Sequence, residues 1–252
     1  MSPSLAAKSI VVTGAARGIG RALAVGLAGE GARVAVVARD RTRAQDVVDE
    51  IAALPDAPPA LALEADVGDE AAVINAAAEA DAAWGRVDAL INNAGWMPGR
   101  RPVLEIETSV LEQVLRSNLI SSFLTTKHFA PLMIRGGGGR IIYLSSAAAV
   151  QSNAGGAAYG GAKAAINILA NVVHQELGDA GIRTVAIAPG LTVTPGMRDI
   201  VGDDYIATVA SRYPGGRVGQ PEDLLPLTSF LCSDGANHLS GTFIMVRPPV
   251  NR

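Results

Sequence analysis

Tyr159 and Lys163 are the first residues in this 252-residue chain whose types and spacing suggest chemistry. Residues four apart are neighbours on one face of a helix, so a phenol and an ammonium would stand together there. A phenol ordinarily ionises near pH ~10, and an adjacent positive charge favours its ionised form. A tyrosine placed this way can give or take a proton near neutral pH. The same spacing arises by accident on a solvated helix face, and the rest of the chain must decide between the two.

A second pattern belongs to ligand binding. Thr13-Gly14-Ala15-Ala16-Arg17-Gly18-Ile19-Gly20 follows an apolar run and opens into a segment rich in Ala and Leu. Glycines there let the backbone turn tightly and approach a pyrophosphate, which the positive end of the next helix attracts. Between a first strand and a first helix, Gly14, Gly18 and Gly20, with Arg17 and Ile19, read as a dinucleotide-binding turn. The second apolar run ends in Ala38-Arg39-Asp40, where such a fold meets the adenosine ribose. An acid there would bond the ribose 2′-hydroxyl. Arg39, with Arg17 as a second cation, suits a 2′-phosphate, because the planar guanidinium fork binds it bidentately. NADP(H) is the expected cofactor, with NAD(H) left open by Asp40.

These residues need a scaffold. Apolar, β-branched runs at 9–13, 33–38, 60–65, 89–92, 140–145, 184–188 and 242–246 alternate with helical segments at 18–30, 41–54, 69–84, 108–134, 157–179 and 221–233. Runs apolar nearly throughout suit parallel strands covered on both faces, and the alternation implies βαβ units. The expected fold class is α/β: a Rossmann-type, doubly wound, parallel seven-stranded sheet in a single domain over residues 1–252. Residues 191–219 lack periodicity, contain Pro195, Gly196, Pro214, Gly215 and Gly216, and follow a strand. A loop of that length is expected to serve as a substrate lid.

Composition narrows the partners. The net charge is −3 with no run of Lys or Arg, which argues against nucleic acid and acidic membrane surfaces. Cys232 is the only cysteine, so no internal disulfide forms, and it reads as a small buried apolar residue. No metal site is expected. With no leader-like start and no apolar run of membrane-spanning length, the expected location is the cytoplasm.

The glycine-rich turn, Asn92-Asn93-Ala94-Gly95 after the fourth strand, and Tyr159-x-x-x-Lys163, in that order, resemble the single-domain short-chain dehydrogenase/reductase family. The chain resembles 3-oxoacyl-acyl-carrier-protein reductase-like members of that family, and the resemblance spans nearly the whole chain. It implies a catalytic set of Asn118, Ser146, Tyr159 and Lys163, with Ser145 a less well spaced rival to Ser146. It implies Asp66 and Val67 at the adenine, and Asn92, Ala94 and Gly95 along the adenosine and ribose. Tyr159 and Lys163 would meet the nicotinamide ribose, and Pro189, Gly190, Thr192 and Thr194 the nicotinamide itself. The family moves a hydride between the nicotinamide and a carbonyl or alcohol carbon. Tyr159 would then be the general acid or base with its pKa lowered by Lys163, Ser146 would hold the reacting oxygen, and Asn118 would support a proton-carrying water chain to Lys163.

Around that centre, Trp96, Ala148, Gln151 and Met197, with Ser146 and Tyr159, are expected to contact substrate. Most are apolar, which suits a small-to-medium hydrophobic ketone or secondary alcohol. The alternative is 3-oxoacyl-acyl-carrier-protein reduction, whose acidic partner needs a basic surface. The stretch 127–140 offers three cations, and 171–183 includes Glu176 and Asp179. A more distant alternative, a non-catalytic NADP(H)-binding regulatory protein, would have a broken tetrad, whereas all four positions are filled. The family implies a homotetramer or homodimer. Here the chain end reads Met245-Val246-Arg247-Pro248-Pro249-Val250 in place of the Val-Asp-Gly-Gly-like stretch that packs at a subunit interface.

Overall fold

In the computed structural model, which describes residues 5–151 and 153–248, seven strands form one sheet. They are β1 (Ser9–Thr13), β2 (Arg33–Ala38), β3 (Leu61–Glu64), β4 (Ala89–Asn92), β5 (Gly139–Leu144), β6 (Ile182–Pro189) and β7 (Thr242–Val246). The order is β3-β2-β1-β4-β5-β6-β7, and every neighbouring pair is parallel. The order reverses between β1 and β4, and their carboxyl ends flank the crevice where open α/β sheets take ligands. This is the doubly wound, single-domain fold expected from the sequence. Pro249 and Val250 of the unusual chain end lie outside the described residues.

The helices are α1 (Gly18–Gly29), α2 (Arg41–Ala52), α3 (Glu70–Trp84), α4 (Thr108–Leu115), α5 (Ser121–Arg135), α6 (Ala157–Leu177), α7 (Pro195–Val201), α8 (Asp203–Ala210) and α9 (Leu225–Cys232). Strand residues alternate between the two faces of the sheet, and both faces are covered. Ile10 and Val12 of β1 join a layer with Leu23 and Leu27 of α1, Val47 of α2 and Leu231 of α9. Val11 joins the opposite layer with Val73 of α3, Phe129 of α5 and Ile166 of α6. All three β1 side chains are fully buried, at roughly 1.5–3 kcal/mol of stabilisation each. Cys232 belongs to the first layer, where burial pushes its thiol up to about 12. It is an apolar filler and not a nucleophile.

Two elements differ from the sequence reading. The expected helix 108–134 contains a π-helical turn, Arg116–Ile120, between α4 and α5. Below it, hydroxyls bond back to the preceding turn: Ser122 to the Asn118 carbonyl at 2.8 Å and Thr126 to the Ser122 carbonyl at 2.7 Å. Such back-bonding competes with the regular ladder, and single π turns cluster at functional positions. The aperiodic segment 191–219 also holds two short helices. Thr194 caps α7 by accepting from Met197 N at 3.1 Å, Pro195 takes the first helical position, and Gly202, at φ +74°, separates α7 from α8. The base of this segment is closed by Val193 N donating to Gly219 O and Gly219 N donating to Leu191 O.

Candidate active site

A cavity of about 2270 Å³ runs along the carboxyl end of the sheet, from the ends of β2 and β3 to α7 and α8. Its floor is the turn between β1 and α1. Gly14 sits at φ +63°, and a Cβ there would lie 2.9 Å from the Ala94 backbone. Gly18 sits at φ +56°, and a Cβ there would press on the Thr194 methyl at 3.1 Å. α2, α3 and α7 each begin with a capping side chain, from Asp40, Asp69 and Thr194, whereas the α1 N-terminus has none. Its first-turn amides therefore stay available to an anion, as a pyrophosphate site requires. Gly20 is buried behind this turn, where a Cβ would strike the Asn93 amide at 2.4 Å. It makes room for close packing and does not line the cavity.

Arg17 and Arg39 line the cavity, and neither has an ion-pair partner among the described residues. Arg43, which the sequence reading passed over, lines it beside them. Asp40 is occupied otherwise: it accepts from Thr42 N at 2.9 Å as the α2 cap and stands 3.9 Å from Arg43. Asp66, Val67, Ala94, Gly95, Pro189, Gly190, Thr192 and Thr194 also line the cavity.

Asn92, expected along the adenosine and ribose, does not line the cavity. It is 3% exposed, and its side chain points into the protein, accepting from Thr125 Oγ1 at 2.6 Å and facing Thr126 Oγ1 at 3.4 Å. It fastens β4 to α5. Its neighbour Asn93 faces the cavity instead, donating from Nδ2 to Thr13 O at 2.9 Å and Gly14 O at 3.1 Å. The Thr13 hydroxyl accepts from the backbone of Asn93 and Ala94 at 3.0 and 3.1 Å. The two turns are thereby locked together. The signal in the sequence was the doubled Asn at a strand end, of which strand alternation sends only one toward the cavity.

Asn118, Ser146, Tyr159 and Lys163 meet at the other end of this floor, all lining the cavity. Tyr159 and Lys163 share a face of α6, with Lys163 Nζ 5.7 Å from the phenol ring centre. Lys163 is 4% exposed and donates to Leu144 O at 2.7 Å. Burial pulls its ammonium down to about 8. Tyr159 moves opposite to expectation: burial raises its pKa, and the hydrogen bond with Ser146 offsets this only in part. The phenol is therefore protonated at neutral pH. Ser145, the rival serine, donates to the Lys163 carbonyl at 3.2 Å and is 5% exposed, which leaves Ser146 as the hydroxyl beside Tyr159.

Asn118 lies in the π turn, fully buried. Its amide donates to Trp96 O at 2.8 Å and Val114 O at 2.9 Å, and Oδ1 has no hydrogen-bond partner among the described residues. A Cβ on Gly95 would lie 2.6 Å from that oxygen and 3.4 Å from Lys163 Nζ. A buried orphan acceptor is costly unless water or ligand meets it. Trp96, Ala148, Gln151 and Met197 line the neighbouring part of the cavity, where Trp96 and Tyr159 both pack against the small cluster of Val114, Ala158 and Ala162. No group of side chains among the described residues could hold a metal ion. No helix among them is long and apolar enough to cross a membrane.

Known proteins give this geometry a context. The family described as short chain dehydrogenase matches residues 8–204. The chain is 33% identical to the NADPH-dependent aldehyde reductase-like protein, chloroplastic, of Arabidopsis thaliana, over 96% of this chain and 93% of that one. It is 35% identical to the 3-oxoacyl-[acyl-carrier-protein] reductase FabG of Staphylococcus aureus, over 95% of this chain and 96% of that one. Its fold superimposes with a TM-score of 0.90 on a 7α-hydroxysteroid dehydrogenase complexed with NADH and 7-oxo glycochenodeoxycholic acid, 32% identical over 98% of this chain and 97% of that one. With its glycine-rich turn and its Ser, Tyr and Lys side chains gathered on one cavity floor, the chain belongs to the short-chain dehydrogenase family of oxidoreductases.

Proposed function

We propose that this protein is an NADP(H)-dependent reductase of carbonyl compounds, or dehydrogenase of the matching secondary alcohols, with Tyr159 as general acid and base. The observation that carries the reading is Tyr159 beside Ser146 and over a buried Lys163, next to an uncapped α1 N-terminus. The Gly14 and Gly18 turn, which Cβ atoms would fill, fits a dinucleotide pyrophosphate. When bound, the nicotinamide supplies or accepts the hydride. In reduction, Ser146 orients the carbonyl oxygen and Tyr159 gives it a proton, a task suited to a phenol that burial keeps protonated. Lys163 holds the nicotinamide ribose, and a water on the unpaired Asn118 oxygen returns the proton from solvent toward Lys163. Arg17, Arg39 and Arg43 receive a 2′-phosphate, Asp40 being tied to the α2 cap. The segment 191–219, with α7 and α8, forms the lid over a substrate that meets Trp96, Ala148, Gln151 and Met197.

A panel of ketones followed by NADPH absorbance tests this. Oxidation of NADPH by ketones with apolar substituents is expected, faster than with NADH, and Arg39→Asp should narrow or invert that ratio. No turnover of any carbonyl, or a wild-type preference for NADH, would contradict it.

The identity with FabG supports a second reading, reduction of 3-oxoacyl groups on an acyl carrier protein. The cations that might receive such a partner are engaged: Lys127 pairs with Glu70, Arg135 with Asp81, and Arg140 is buried on Ala236 O and Asn237. A free acyl thioester reduced as fast as its carrier-bound form would exclude this reading.

A further inference from the structure

Charge is unevenly distributed around the cavity. Asp40 and Asp66, the carboxylates that line it, stand where β2 and β3 end, at the adenosine side. At the side of α7 and α8 the charged lining residues are Arg100, Arg212 and Arg247, and none of the described lining residues there is acidic. Exposed arginines that do not line the cavity commonly have acidic partners, as in Arg21 with Glu50, Arg135 with Asp81 and, between α7 and α8 themselves, Arg198 with Asp203. Arg100, Arg212 and Arg247 have no such partner among the described residues.

Two of these guanidinium groups are nevertheless held in place. Arg247 lies 5.9 Å over the Tyr213 ring. Arg100 lies 5.5 Å over the Tyr205 ring and donates to its hydroxyl at 2.8 Å. Aromatic faces orient a guanidinium without neutralising it. The Tyr213 hydroxyl reaches the end of β6, where a Cβ on Gly190 would lie 2.5 Å from it, and Gly190 N donates to Val246 O at 2.9 Å. Tyr213 and Arg247 are thus held together where β6 and β7 end, and Arg212, the chain neighbour of Tyr213, lines the same cavity. Unpaired cations in a cleft with apolar walls concentrate their field and draw anions, and the guanidinium fork matches a planar carboxylate.

We propose that the substrate is a keto acid or hydroxy acid whose apolar body fills the cavity and whose carboxylate is received by Arg212 and Arg247. Its carbonyl or alcohol carbon reacts at Tyr159, so the proposal rests on the function assigned above. Arg100, fixed on Tyr205 of α8, adds a third cation to the cavity lining.

The full-length protein loaded with NADPH provides the test. A length series of oxo acids and their methyl esters is compared in turnover and, separately, in equilibrium binding. At the best length the acid should exceed its ester by at least about tenfold in kcat/KM, as for a charge-assisted pair. In the double variant Arg212→Gln with Arg247→Gln that ratio should fall toward one, through KM, while Arg247→Lys keeps part of it. NADPH binding, assigned to other residues, reports that the variants fold. Equal use of acid and ester by the wild type, or an acid preference that survives in the double variant, would overturn the proposal. So would a preference for carrier-bound over free acids that disappears in the same variant, since the arginines would then serve an acidic protein surface. If nothing is turned over, binding decides. Arginine-dependent preference for the acid would sustain the proposal and sink the role of Tyr159, and binding without that preference would overturn the proposal.

Discussion

Lys163 is a buried cation with no ion-pair partner among the described residues, and its burial lowers its pKa from 10.5 to about 8. The folded value lies below the unfolded one, so the unfolded chain holds this proton more tightly. The cost of burial is fully present below about pH 8 and vanishes as the pH rises through the window up to 10.5. The size of the shift makes that cost roughly 3 kcal/mol. Lys163→Met is therefore expected to resist urea better than the wild type at pH 7, with the advantage shrinking at pH 10 and turnover lost throughout. A variant less stable at pH 7 would show that Lys163 is stabilised in the ligand-free fold. The pairing of Tyr159 with Lys163 was legible in the sequence because helix geometry fixes which residues are neighbours. The direction of the Tyr159 shift was not, because spacing carries no information on desolvation, and desolvation outweighs the hydrogen bond with Ser146.

Between residues and whole fold stand the turns that aim the side chains. Asn118 reaches the cavity floor from a π turn, and Asn92 locks β4 to the hydroxyl face of α5. Asn92→Ala removes a buried partner of Thr125 and should cost about 1–3 kcal/mol of stability, seen as a lower melting temperature with NADPH affinity intact. Weakened NADPH binding at unchanged stability would return Asn92 to the cofactor site. The glycine-rich turn was readable because only glycine meets φ +63° at Gly14 and φ +56° at Gly18 in such close quarters. The choice between Asn92 and Asn93 was hidden, since it depends on where β4 ends to within one residue. The start of α7 was written in Thr194-Pro195, a cap followed by a proline at the first helical position, but was masked by the surrounding glycines and prolines.

At the scale of the molecule, the parallel sheet could be read from strands apolar on both faces, as in β1, where all five residues are buried. What the sequence pattern could not separate is an apolar side chain that packs inside from one left on the surface. Phe123 at the start of α5 is 51% exposed, Ile168 on α6 is 67%, and Phe243 on the edge strand β7 is 44%. Large apolar side chains left outside, together with an unpaired strand edge, are typical of surfaces that meet another copy. A homodimer or homotetramer is the expected state, and light scattering at micromolar concentration should report it. A monomer would contradict it.

Proton transfer to the substrate is assigned to the phenol of Tyr159. Tyr159→Phe keeps the ring and its packing against the cluster of Val114, Ala158 and Ala162 while removing the proton. Turnover of the best carbonyl substrate should fall by about 10²–10⁴-fold, with the dissociation constant for NADPH unchanged within a few-fold. A variant that binds NADPH normally and still reduces the substrate at the wild-type rate would contradict the assignment of Tyr159 as the acid.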